Sequence, residues 1–145
     1  MTTLLEEFSS DLALLVESGL IAIKQGDEES AKKLFNAADV IDPTKVSKKM
    51  GFGLIALHKM DVKGAKKHFE EILIIEKKNY RAKAFLAFAH ILSVLQDGTT
   101  DEKIASLKKA ADLAHEVIEK CDTLSTRELA QSLLDWESEL QQKSK

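Results

Sequence analysis

The sequence predicts an all-α protein built from helical hairpins repeated along the chain. Three observations carry that expectation. Residues 19–35, GLIAIKQGDEESAKKLF, return as GLIALHKMDVKGAKKHF at 53–69, with nine of 17 aligned positions identical at a spacing of 34 residues, and a fixed period of that size marks a repeat architecture. Proline occurs once, at Pro43, and the six glycines are scattered, so nothing divides the chain into short strands. Between them run long stretches of Ala, Leu, Lys and Glu, the strong helix formers.

The elements follow in order. A first helix runs from about Leu12 to Lys24, extended towards the N-terminus by the capping-box spacing of Thr3 and Glu6. Gln25-Gly26 turns the chain, Asp27 caps the next helix, and Asp42-Pro43 stops it near Ile41. The echo repeats the design: a helix from about Lys45 to Lys59, a turn capped by Asp61, and a helix to about Lys77. Asn79 caps a fifth helix, YRAKAFLAFAHILSVLQ, ending at Asp97-Gly98. A sixth spans Asp101 to about Lys120 after the turn DGTT. Ser125-Thr126-Arg127-Glu128 has the capping-box spacing and opens a last helix, about 125–142, through Trp136.

A length of 145 residues fits one domain, with 44% hydrophobic and 31% charged residues typical of a globular chain. The single Cys121 has no partner for an internal disulfide. Glu6, Glu7 and Asp11 stand where a signal peptide would be apolar, so the expected location is the cytoplasm. No apolar run is long enough for a membrane span, and a net charge of -3 without single-sign blocks argues against nucleic acid and membrane insertion.

A period of 34 with two helices per unit resembles the tetratricopeptide repeat, or TPR. Repeat one, about 12–45, supplies Gly19, Gly26, Ala31, Phe35, Ala38 and Pro43 at that family's spacing; repeat two, about 46–79, keeps Gly53, Ala65 and Phe69; a degenerate third, about 80–120, keeps Ala87. The resemblance implies about three stacked hairpins and a C-terminal capping helix. Glycine and alanine would let helices approach, and Phe35 and Phe69 would fill the seams.

In such a stack the first helix of each hairpin lines a concave groove. The family's groove positions fall on Ala13, Val16, Leu20, Ile23 and Lys24, then on Ser47, Met50, Leu54, Leu57 and His58. In repeat three they fall on Arg81, Ala84, Phe88, Ile91 and Leu92. The opposite sides of these helices, Ile21 and Ala22, Phe52 and Ile55, Leu86 and Ala89, are apolar too, and a helix apolar on both sides expects cover on both. An amphipathic helix of a partner would fill the groove; so would a terminal segment of this chain or a second copy in a homodimer.

Catalytic chemistry is not expected. Cys121 neighbours Asp122, which disfavours a thiolate, and His58, His68, His90 and His115 form no metal-binding spacing. His68 and His115 read as solvated positions, and Lys32-Lys33 and Lys66-Lys67 as a solvated outer face offset by Glu28, Glu29, Glu70 and Glu71. No enzyme activity, cofactor or metal follows.

By length, a degenerate third hairpin, the stretch RAKAFLAFAHILSVLQD and the terminal ELAQSLLDWESEL, the whole chain resembles the small cytoplasmic TPR chaperones of type III secretion, particularly needle-subunit chaperones. That resemblance implies a groove, carried by Val16, Leu20, Ile23, Met50, Leu54, Leu57, Ala84, Phe88, Ile91 and Leu92, that holds the amphipathic C-terminal helix of a needle subunit. A small helical co-chaperone usually shares the load, and the outcome is suppression of premature polymerisation. The related translocator-class chaperones, and a non-secretory TPR scaffold acting as a homodimer, are the alternatives.

Overall fold

A computed structural model describes residues 18–41, 46–96 and 98–143. Every element among them is helical: α1 over 18–24, α2 (Glu28–Ile41), α3 (Val46–His58), α4 (Val62–Ile75), α5 (Tyr80–Val94), α6 (Thr100–Lys120) and α7 (Leu124–Lys143). The expected all-α class holds. Expectations resting on Thr3, Glu6, Leu12, Ala13, Val16 and Asp42-Pro43 lie outside the described residues. The chain divides into two compact units, one through His68 and one from Phe69, the boundary falling inside α4.

The 34-residue echo extends to individual hydrogen bonds. After α1, Gly26 N–H donates to Ile23 O at 3.0 Å and Asp27 N–H to Ala22 O at 2.8 Å; after α3, Met60 N–H donates to Leu57 O at 3.0 Å and Asp61 N–H to Ala56 O at 2.8 Å. Both are Schellman closures, which satisfy the last helix carbonyls through one left-handed residue. The same aspartates then cap the next helix: Asp27 Oδ1 accepts from Ser30 N–H and Asp61 Oδ1 from Gly64 N–H, each at 3.1 Å. One residue thus ends one helix and starts another, which is why the turns are so short.

The two turns differ in their left-handed residue. Gly26 adopts φ 77° at no steric cost, whereas Met60 adopts φ 60° with a side chain. Met60→Gly is therefore expected to stabilise the protein by about 1 kcal/mol, read as a higher urea midpoint at unchanged m-value; a lower midpoint would show that the Met60 side chain contributes more than its backbone strain costs.

In the first unit, Phe35 of α2 is the packing centre. It is 1% exposed and clusters with Ala22, Ile23, Ala31 and Ile55, with Leu20, Leu34, Phe52 and Leu54 against it. A Cβ on Gly19 would lie 2.7 Å from Phe35 Cζ, and one on Gly51 would overlap its Cγ and both Cδ atoms. The ring therefore slots between α1 and α3 because both present glycine. The sequence reading assigned the second close approach to Gly53, which is buried; at Phe35 the residue that makes it is Gly51.

In the second unit, α5, α6 and α7 pack mutually. Alanines dominate the contacts: Ala84, Ala114 and Ala130 with Val117 and Cys121 form one cluster, and Ala87, Ala110, Ile91 and Leu133 another. Phe69, fully buried, stacks on Phe85 at 5.8 Å between centroids. Small residues let the three helices approach closely, and the two aromatic pairs, Phe69–Phe85 and Phe88–Trp136, supply bulk.

Caps set the element ends. Asn79 accepts from Ala82 N–H at the start of α5, as expected, and Thr99 forms a complete capping box with Glu102 at the start of α6. The last helix begins at Leu124 rather than at a box on Ser125: Arg127 N–H already donates to Thr123 O, so Ser125 and Thr126 lie in the first turn. Lys83 Nζ reaches Glu116 Oε1 at 2.6 Å, joining α5 to α6.

Candidate functional site

The described residues mapped to a groove lie on α1, α3 and α5. In the first unit Ile23, Met50 and Leu57 are buried, Leu20 and Leu54 half-buried, and Lys24 and His58 exposed. Ile23 is 8% exposed and belongs to the core cluster around Phe35, whereas Ile21, expected in the stacking seam, is 54% exposed. The two isoleucines exchange roles. Accessible apolar surface on this side comes from Leu20 and Leu54, which occupy the same position in the two repeats and pack with one edge against the core.

In the second unit Ala84, Ile91 and Leu92 are buried, Phe88 is half-buried and Arg81 exposed. Ala84 packs with Ala114 and Val117 of α6, and Ile91 with Ala110 and Leu133, so both are core residues rather than groove lining. Phe88 faces Trp136 of α7 at 6.1 Å. The physical reason for these corrections is that α3 (VSKKMGFGLIALH) and α5 (YRAKAFLAFAHILSV) are apolar around most of their circumference. A helix without a polar stripe gives no sequence signal for which side faces the core.

The repeat-packing positions behave uniformly: Gly19, Ala31, Phe35, Ala38, Gly53, Ala65 and Phe69 are all buried, and Pro43 lies outside the described residues. Lys32, Lys33 and Lys67 are exposed, and Lys66 is half-buried. Glu28 gathers two cations, Lys32 at 3.0 Å and Lys59 at 3.2 Å, and these hydrogen bonds hold its carboxyl below the usual range. His68 is half-buried and stacks on Phe52 at 6.1 Å, so it is not the solvated position expected; His115 is exposed.

A cleft of about 680 Å³ opens in the second unit where the start of α5 meets the turn between α6 and α7, lined by Lys78, Tyr80, Arg81, Phe85, Cys121 and Thr126 among others. Arg81 lies over the Phe85 ring at 6.0 Å. Sequence reading did not identify this cleft, since its lining residues come from two separated turns with no shared motif. Cys121 is buried at its edge, with Sγ 4.0 Å from Thr123 O. A smaller cavity of about 150 Å³ in the first unit involves Ile23, Ile55 and His58.

One buried carboxylate stands out. Glu137 of α7 is 6% exposed, and its Oε1 has no hydrogen-bond partner among the described residues. Burial pushes its pKa above the ordinary 4.5, against the opposing pull of His115 and a hydrogen bond with Gln141. The native state therefore holds this proton more tightly than the unfolded chain. Glu137's contribution is fully present below the unfolded pKa and is lost as pH rises through the raised folded value. Glu137→Gln is expected to remove that dependence, so the variant's stability relative to the parent should rise as pH climbs above the ordinary carboxylate value of 4.5; a difference that stays constant as pH is raised through and above that value would contradict it.

Among the described residues no cluster of His, Cys, Asp and Glu is arranged to hold a metal ion, and no helix is long and apolar enough to cross a membrane. Comparison with known protein families, curated proteins and solved structures finds no match to this chain.

Proposed function

We propose that this protein is a TPR-like chaperone of type III secretion that holds an amphipathic helix of a needle subunit and so prevents its premature polymerisation. The carrying observation is the 34-residue repeat, in which sequence, turn hydrogen bonds and caps recur together at Ile23–Asp27 and Leu57–Asp61. Repeated helical hairpins stack through small residues and present successive first helices side by side. Here those helices keep apolar side chains that the core covers only in part, notably Leu20 and Leu54.

A filament subunit needs its sticky helix masked before export, and an apolar strip of leucines suits an amphipathic guest better than a charged peptide end. The partner is a secretion-apparatus protein presenting such a helix, with a small helical co-chaperone alongside. The work is binding and needs no cofactor.

The test is co-expression with a needle-type subunit: a soluble heterocomplex supports the reading, and a subunit that aggregates equally with and without the chain removes it. A second reading, a TPR scaffold acting as a homodimer, is favoured by Val40 and Ile74, equivalent positions 34 residues apart that are 83% and 78% exposed. Light scattering of the isolated chain separates the two, since the scaffold requires a stable dimer.

A further inference from the structure

The side of α5 that bears Phe88 and Ile91 already carries an amphipathic helix, and it belongs to this chain. Leu133 of α7 shares a core cluster with Ala87, Ile91 and Ala110, and Trp136 and Leu140 pack against it beside Phe88. The buried stripe of α7 runs Thr126, Ala130, Leu133 and Glu137, a helical spacing of four, three and four residues. Two of its four positions are polar. At the last of them one carboxylate oxygen, Oε1, is buried without a hydrogen-bond partner among the described residues, an arrangement that costs stability because that oxygen has lost its water without replacement.

A helix with the same stripe and an apolar residue at that position would fit the surface better than α7 does. The surface is apolar, with alanines of α5 and α6 beside Val117 and Ile91, and with Tyr80, Phe88, Leu113 and Ile118 providing relief. The stripe is flanked by Leu129, Leu134, Trp136 and Leu140, partly buried against the same core, while Gln131, Ser132, Asp135, Ser138 and Glu139 are exposed and form the helix's polar side.

We propose that α7 is an exchangeable occupant of the α5–α6 surface, and that the helix replacing it is an amphipathic partner helix carrying an apolar residue where α7 has Glu137. The inference rests on the helix-holding reading given above and deepens it: the chain guards part of its binding surface with a weaker imitation of its guest. The imperfect residue keeps the guard displaceable.

The probe is a synthetic peptide of residues 124–143 bearing Trp136→Phe, so that the chain's own Trp136, its one tryptophan, remains the only indole emitter. It is prepared with Glu137 retained and with Glu137→Leu, and each form is titrated into the intact protein. The Glu137→Leu peptide is expected to red-shift Trp136 emission and accelerate amide exchange across α7, at a concentration about tenfold lower than the peptide retaining Glu137 needs. In the reciprocal experiment, the full chain carrying Glu137→Leu should resist displacement, requiring about tenfold more of the same peptide. Equal potency of the two peptides, or an α7 that stays protected at every concentration, overturns the proposal. Release of α7 by the peptide with no binding of a needle-type helix refutes the chaperone reading alone. Binding of that helix with α7 still protected refutes the exchange alone.

Discussion

Gly51→Ala is expected to destabilise the first unit by about 2 kcal/mol, although alanine exceeds glycine in helix propensity by about 1 kcal/mol. The added Cβ would overlap Phe35 at Cγ and both Cδ atoms, the base of the ring rather than its free end. The ring is 1% exposed, so it cannot swing aside without moving α2. Gly19→Ala meets the ring tip at 2.7 Å and should cost less. A Phe35→Ala background reverses the sign. That change alone should cost about 3–5 kcal/mol by emptying the core, but in its presence Gly51→Ala should stabilise by up to about 1 kcal/mol through propensity. Urea unfolding of the four proteins in the cycle measures the coupling. Additive effects would mean that Phe35 does not pack on Gly51.

Leu54→Asp is expected to abolish capture of the partner helix while leaving helical circular dichroism nearly intact. Leu54 is half-buried, touching the Phe35 cluster with one edge, so a carboxylate there can still reach water. A central apolar anchor is worth at least about 2 kcal/mol to an interface, or about 30-fold in affinity. Ile23→Asp is the contrast: it buries a charge in the core and should collapse the helical signal. Loss of helicity in Leu54→Asp would place Leu54 in the core with Ile23, and undiminished capture would take it out of the binding surface.

Much of this fold was legible because much of it is local. Asp27, Asp61 and Asn79 cap their helices as their sequence context indicates, since a cap needs only a short polar side chain before a helical run. The last helix opens at Leu124, within a residue of the expected start; Ser125 falls inside its first turn because Arg127 N–H already donates to Thr123 O, a backbone bond that the capping-box spacing does not reveal. The repeat pointed to Gly53 as the echo of Gly19, but which glycine meets Phe35 depends on how α2 and α3 cross, and Gly51 met it. The groove was the least legible feature. Ile21 and Ile23 sit two residues apart on a short apolar run, and only packing decided that Ile23 turns inward and Ile21 outward. On α5 the alanines that fill the core are chemically the same as those that would line a groove, so Ala84 could not be assigned by residue type.

The central claim, that these repeated hairpins hold the sticky helix of a filament subunit, is tested most directly by mixing the purified protein with a needle-type subunit under polymerising conditions and following mass by light scattering. A stoichiometric amount is expected to hold the subunit in a soluble one-to-one complex, and Leu54→Asp to restore polymerisation at the uninhibited rate. Polymerisation that proceeds unchanged in the presence of the unmodified protein would contradict it.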